Sequence, residues 1–162
     1  MIRIIFTILF FTTIAPGAEE PLGEPGRWVT AYVRAYSHKD KIDSGHKFND
    51  GKTAPPSNIN LRRTTDPNKI YGFACDPAYL PHGTRIYVPG YWEKLQANRV
   101  SRPTRMTEVN DTCGGIGKGI QKKHRGVAYY IEVRFRGPGA AHIWGINNGQ
   151  GEGTFMQVYI YD

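Results

Sequence analysis

The sequence predicts a small all-β domain folded as a barrel. Three observations carry that expectation. Short runs alternate apolar with polar residues, turn signals built from Pro, Gly, Asn and Asp separate them at close intervals, and helical periodicity is almost absent. No repeat or heptad is visible, and 162 residues suit one domain able to bury most of its apolar surface.

The opening "MIRIIFTILFFTTIAPGAEE" carries one Arg, an apolar run from Ile4 to Ile14, and small residues Ala15 and Gly17 placed like a cleavage site. That pattern predicts an export signal over 1–17 and a periplasmic or extracellular mature chain. The run falls short of the about 20 apolar residues a spanning helix needs. No cysteine adjoins the cut to take a lipid, so no stable membrane anchor is expected after cleavage.

A Pro/Gly-rich lead occupies 18–27 and the barrel domain 28–162. "WVTAYVRAY", which alternates Trp28, Thr30 and Tyr32 with Val29, Ala31 and Val33, reads as a strand. From Ser37 to Lys69 the chain is polar and rich in Asp, Asn, Lys and Pro, which predicts a long loop. Two short strands follow, Tyr71 to Ala74 and Thr84 to Val88, bounded by Asp-Pro, Pro-His-Gly and Pro-Gly turns. "TRMTEVND" predicts another strand. In "VAYYIEVRF", Val127, Tyr129, Ile131, Val133 and Phe135 share one face and Ala128, Tyr130, Glu132 and Arg134 the other, so Glu132 leaves the core side. "PGAAHIWG" suffices for one or two helical turns, and "TFMQVYIY" closes the chain as a strand.

The formal charge of +7 becomes +6 once Arg3 leaves with the signal. A basic surface favours anionic partners in general, a nucleic acid, a membrane surface or an acidic wall polymer, and export argues against the nucleic acid.

The stretch "VNDTCGGIGKG", Val109 to Gly119, packs an acid, a cysteine and glycines together. It is not a P-loop, because Thr112 stands at the lead glycine position and Gly119 where the hydroxyl belongs. Nor is it a metal knuckle. The nearest other cysteine is Cys75, and His38, His46, His82, His124 and His142 show no ligand spacing, so no metal is expected. Glycines after Asp and Thr suit a tight turn in which the backbone comes close to something.

"ACDPAYLPHGTRIYVPGY", then "VNDTCGG" and "IEVRF", then Trp144-Gly145 and "VYIYD" resemble, in that order, the 3D domain, named for three aspartates and related to the MltA-type lytic transglycosylases. The likeness is best over 71–162, with "VTAY" near Thr30 as a weaker match. It implies a six-stranded double-psi β-barrel, here with a long N-terminal loop insertion. The family's three aspartates fall on Asp76, Asp111 and Glu132. Three departures stand out: glutamate at the third position, a longer segment between Asp111 and Glu132 with a second insertion holding "EKLQANRVSRPTR", and Cys113 where the turn's first glycine usually stands.

The resemblance implies a monomeric, cofactor-free enzyme acting on peptidoglycan glycan strands. It would cut the MurNAc-GlcNAc β-1,4 bond through a single carboxyl that serves as acid and then as base, while the sugar's own 6-hydroxyl closes a 1,6-anhydro ring. Glu132 is the expected acid/base, with Asp111 and Asp76 as charged neighbours. Thr112, Gly114, Gly115 and Lys118 are expected to line the substrate, and Tyr87, Tyr91, Trp92 and Trp144 to offer rings for stacking on sugars. If the acids line one cleft, as the resemblance implies, Cys75 and Cys113 adjoin, and in an exported chain they can form a disulfide. Two buried free cysteines are the alternative.

Each of these residues also admits a plain structural role. Asp76 before Pro77 suits a turn start, Asp111 an acceptor for backbone N–H groups, Glu132 a solvated strand position, the aromatics a core, and Lys118 open water. The corresponding alternative function is a non-catalytic wall-glycan-binding barrel.

Overall fold

A computed structural model describes residues 23–37, 53–61, 63–91, 107–126, 128–147 and 153–162. The expected export signal, residues 38–52 and 62 of the expected loop over 37–69, and Trp92 lie outside the described residues.

The alternating runs form six strands: β1 (Gly26–Ser37), β2 (Gly72–Cys75), β3 (Arg85–Tyr87), β4 (Thr107–Thr112), β5 (Tyr129–Phe135) and β6 (Thr154–Tyr161). They close into a barrel in the order β1-β5-β2-β4-β3-β6. β1 runs parallel to β5 and β2 parallel to β4, while the β2/β5, β3/β4, β3/β6 and β1/β6 pairs are antiparallel. The parallel pairs require long connections, which the intervening strands and helices supply. β1 covers the expected strand over 28–36 and adds Gly26 and Arg27 before it and Ser37 after it.

Ala31, Val33, Phe73, Cys75, Ile86, Val109, Ile131, Val133, Val158 and Ile160 fill the interior, each 6% exposed or less. At the C-terminal end of β5, Tyr91 stands edge-on to Phe135 at 5.2 Å, and Trp144 lies 5.6 Å from Phe135. Tyr91 and Trp144 are therefore core residues, because their rings are buried and complete the apolar interior.

Helix enters in three places among the described residues: a single turn α1 (Pro67–Ile70), α2 (Gly115–Lys123) and α3 (Pro138–Asn147). α3 is longer than the one or two turns expected, and Pro138 opens it, where the missing N–H costs nothing. α2 corrects the reading of the glycine stretch as a turn. Its glycines are poor helix formers, yet tertiary contact overrides that deficit. The Gln121 amide donates from Nε2 to the Ala128 carbonyl at 3.1 Å and accepts the Tyr130 N–H at 2.6 Å, stitching α2 to β5. Lys122 and Lys123 sit at the helix C-terminus, where the dipole favours cations.

Candidate functional site

The barrel's outward face over β1, β5, β2 and β4 is not a solvated surface. Tyr130 is 1% exposed and Arg134 is fully buried. The register explains how functional groups gather there. Ala74 on β2 faces Asp111 on one side and Glu132 on the other, and Glu132 in turn faces Arg34 of β1. Asp111, Ala74, Glu132 and Arg34 thus form one lateral row across four strands, with the smallest side chain between the two acids. At about 4.8 Å per strand, two strand steps put the acids' backbones roughly 10 Å apart.

Asp111 joins that row because of a bulge. Val109 pairs with Phe73 but Asp111 pairs with Ala74, so Asn110 is an extra residue. Strict alternation would send Asp111 to the core face alongside Val109; the bulge re-aims it outward. Asn110 also turns outward and donates from Nδ2 to the Tyr71 carbonyl at 3.1 Å. Its amide lies so close to Gly72 that a Cβ there would meet Oδ1 at 2.2 Å, which is why glycine stands at 72.

Arg134 anchors this layer. Its Nε donates to the Ile70 carbonyl at 2.7 Å, Nη2 to Asn110 Oδ1 at 2.6 Å, and Nη1 to the Tyr36 hydroxyl at 3.1 Å and Asp111 Oδ2 at 3.3 Å. The Asp111 carboxylate takes three more hydrogen bonds, from the Tyr36 hydroxyl at 3.0 Å and from the Ala54 and Thr112 N–H groups, each at 2.8 Å. Both oxygens of Asp111 are engaged in holding the structure. Burial pushes the Tyr36 hydroxyl well above the ordinary tyrosine range, with Arg134 opposing and Asp111 adding to the rise, so it stays a donor.

The Ala54 contact straps residues 53–59 across the acid face. Ser57 Oγ lies 3.0 Å from His82 Nδ1, and His82 Nε2 lies 3.1 Å from Thr112 Oγ1, so a side-chain bridge clasps the same segment to the end of β4.

Glu132 has a different setting. It is partly accessible, and one carboxyl oxygen accepts the Tyr130 hydroxyl at 2.5 Å. Burial pushes its pKa up from the ordinary carboxylate range; the Tyr130 hydrogen bond and the Arg34 charge pull it back, and the Asp111 charge pushes it up further. Burial prevails, so Glu132 holds its proton to higher pH than a free glutamate. A carboxyl between opposed influences, on a residue that is partly accessible, can give and retake a proton.

Asp76 follows β2 and starts a turn: its Oδ1 accepts the Ala78 N–H at 3.1 Å and its carbonyl accepts those of Tyr79 and Leu80 at 2.9 and 3.0 Å. All three acids nevertheless lie within electrostatic reach of one another's neighbourhood. Burial first, then Cys113, then Glu132, Asp111 and Asp76 push the Cys75 thiol up.

The other expected site residues divide. Thr112, Gly114 and Gly115 lie at the end of β4 and the start of α2, beside the acids, and Gly114 caps the helix without a side-chain hydrogen bond. Lys118 is exposed on α2, and its charge reaches Cys113. Trp144 is in the core, as described. Tyr87 is also placed elsewhere: on β3, edge-on to Trp28 at 6.3 Å, in register with Tyr159. β3 borders β4, but Ile86 stands opposite Thr107, four residues before Asp111, and Tyr87 continues away from it, so Tyr87 does not meet the acid row.

Cys75 and Cys113 do adjoin, since the Cys113 N–H donates to the Cys75 carbonyl at 3.0 Å, but both are buried free thiols rather than a disulfide. Their side chains serve different layers. Cys75 belongs to the barrel core, whereas Cys113 packs under α2, its sulfur 3.0 Å from where a Cβ at Gly117 would stand. Burial pushes the Cys113 thiol up to about 12, with Glu132 and Asp76 adding to the rise, so neither sulfur is an activated nucleophile.

Sequence reasoning missed Arg34, Tyr36, Tyr130, Arg134, Asn110 and His82 as parts of this site. A signal existed for four of them: Arg34 and Tyr36 continue the polar face of β1, and Tyr130 and Arg134 flank Glu132 at two-residue steps on β5. Among the described residues, no group of three or more His, Cys, Asp or Glu is arranged to hold a metal ion. Comparison with protein-family models finds no match to this chain, and comparison with curated proteins likewise finds none.

Proposed function

We propose that this protein is an exported peptidoglycan lytic transglycosylase in which Glu132 is the single acid/base. The observation that carries the reading is the lateral row of Asp111, Ala74, Glu132 and Arg34, in which one acid is locked to Arg134 and the other is partly accessible and holds its proton to higher pH than a free glutamate. The two parallel strand pairs of the closed barrel support the double-psi topology that the sequence resemblance implies. Export rests on the apolar, singly charged opening of the chain.

In this mechanism protonated Glu132 gives its proton to the glycosidic oxygen as the bond to the anomeric carbon breaks, and the bonding electrons leave with that oxygen. The 6-hydroxyl of the same sugar then bonds to the anomeric carbon and surrenders its proton to the Glu132 carboxylate. The acid is thereby restored and no water is consumed. Asp111 does not exchange protons here. It fixes the row through Arg134, and its charge raises the pKa of Glu132. Arg34 and the Tyr130 hydroxyl stabilise the carboxylate after the first transfer. Asp76 adds negative charge at the start of the adjoining turn, opposite the positive charge that develops on the sugar.

One observation favours the second reading, a non-catalytic glycan-binding barrel: the hydrogen bonds to Asp111 are those of a structural carboxylate. Mass spectrometry of purified glycan strands after incubation with the protein separates the two. New 1,6-anhydro ends are expected from the enzyme, ordinary reducing ends from a hydrolase, and unchanged strands that nevertheless co-sediment with the protein from a binding module.

A further inference from the structure

Phe155 on β6 is 51% exposed, the most exposed large apolar side chain among the described residues. A lone surface phenylalanine needs no explanation. Two facts set this one apart. It is braced: the ring meets Tyr32 edge-on at 5.1 Å and 63°, and His124 edge-on at 5.1 Å and 84°. Tyr32 is itself stacked with His124 at 5.9 Å and with Tyr130 at 6.2 Å. Gly153 closes in behind, its backbone so near that a Cβ would stand 2.6 Å from the Tyr32 ring and 2.7 Å from Arg34 Cγ. An aromatic ring held by its neighbours loses little freedom when something stacks on it.

The second fact is position. Phe155 is in register with Tyr32, and Tyr32 with Tyr130, whose hydroxyl holds Glu132. Along the strands the ring lies two residues, about 7 Å, from the row of Arg34 and Glu132, and across the sheet β6 lies two strand steps, about 10 Å, from β5, so the diagonal is about 12 Å. That separation exceeds one sugar unit and is closer to two. A chain molecule with a bond over Glu132, laid diagonally across β1, brings a ring about two units along over Phe155.

We propose that Phe155, braced by Tyr32 and His124, is a stacking platform for a hexopyranose ring about two units along the glycan from the bond at Glu132. The inference rests on the glycan-cleaving function proposed above and adds a subsite to it. The axial C–H groups of a pyranose form an apolar, weakly positive face that suits the negative face of an aromatic ring. Arg34, beside the platform, offers hydrogen-bond donors to the sugar's ring substituents.

The test uses a β-1,4-linked N-acetylglucosamine tetramer as probe, titrated calorimetrically into the wild-type protein, Phe155→Ala and Phe155→Trp, with cleavage of glycan strands followed in parallel. The expected result is a Kd roughly tenfold weaker for Phe155→Ala, retained affinity with an emission change on sugar addition for Phe155→Trp, and an unchanged thermal midpoint in both. In cleavage, KM rises in Phe155→Ala while kcat holds. Wild-type affinity and KM in Phe155→Ala, or tetramer binding without an emission change in Phe155→Trp, overturn the platform and leave the acid/base reading of Glu132 intact. A wild-type protein that neither binds the tetramer nor cleaves strands overturns both.

Discussion

Arg134 and Glu132 stand two residues apart on one strand and illustrate opposite uses of a buried charge. Arg134 is paired and saturated with acceptors, so its removal strands the Asp111 carboxylate, the Asn110 amide and the carbonyls of Ile70 and Tyr71. Breaking a buried pair from one side costs about 3–5 kcal/mol. Chemical denaturation of Arg134→Ala is expected to show a loss of that order, and Arg134→Lys a large part of it, because one ammonium cannot reach the same acceptors. A loss below about 1 kcal/mol, the scale of exposed pairs, would contradict the role given to Arg134.

Glu132 carries a pH signature whose sign follows from its raised pKa. The folded protein holds this proton more tightly than the unfolded chain does. The stabilisation is complete below the unfolded value, near 4.5, and is lost as pH rises through the higher folded value. Glu132→Gln removes a carboxylate that burial disfavours, so its thermal midpoint is expected to exceed that of the wild type at neutral pH and to draw level in acid. Midpoints measured across that range test it, and an equal difference at every pH would show that the carboxyl does not titrate as described.

At the scale of elements, α2 depends on how closely it approaches β5. A Cβ on Gly117 would stand 2.4 Å from the Tyr130 ring and 2.8 Å from Cys113 Cβ, whereas nothing lies within 4 Å of one on Gly119. Gly119→Ala is therefore expected to stabilise the protein by about 0.5–1 kcal/mol through helix propensity alone. Gly117→Ala in the same helix is expected to destabilise it by about 1–3 kcal/mol, as overpacking does, and to lower glycan cleavage, because Tyr130 must shift away from Glu132. Equal effects of the two substitutions in denaturant melts would refute the close contact.

This pair also shows what was legible in the sequence. The strands were, since period-2 alternation is a local property and survives into the barrel; "TFMQVYIY" is β6 residue for residue. α2 was not, because its glycines lack helix propensity and the contacts that compensate, Gln121 to β5 and Gly117 to Tyr130, arise only after folding. The acids could be picked out by motif, but the bulge that turns Asp111 outward and the partner that saturates it lie in the pairing of strands distant in sequence. The aromatics misled for a related reason. Trp144 and Tyr87 resemble stacking residues by type, and only the closed barrel shows one in the core and the other beyond the reach of the acid row.

For the whole molecule, the barrel interior and the acid face form two packed layers sharing the same strands, and the two cysteines sit one in each. Buried thiols with raised pKa values react slowly, so alkylation of native protein without reductant is expected to leave both unmodified, and alkylation after unfolding to modify both. A crosslinked Cys75–Cys113 peptide would contradict the free-thiol arrangement.

The proposed chemistry requires one carboxyl, that of the partly accessible Glu132, held by neighbours to which the proposal gives no proton transfer. The most direct test is mass spectrometry of purified peptidoglycan glycan strands incubated in parallel with the wild-type protein and with Glu132→Gln, circular dichroism confirming that both are folded. New 1,6-anhydro ends from the wild type and none from Glu132→Gln are the predicted result. Unchanged strands from the wild type, or anhydro ends in equal yield from both, would contradict it.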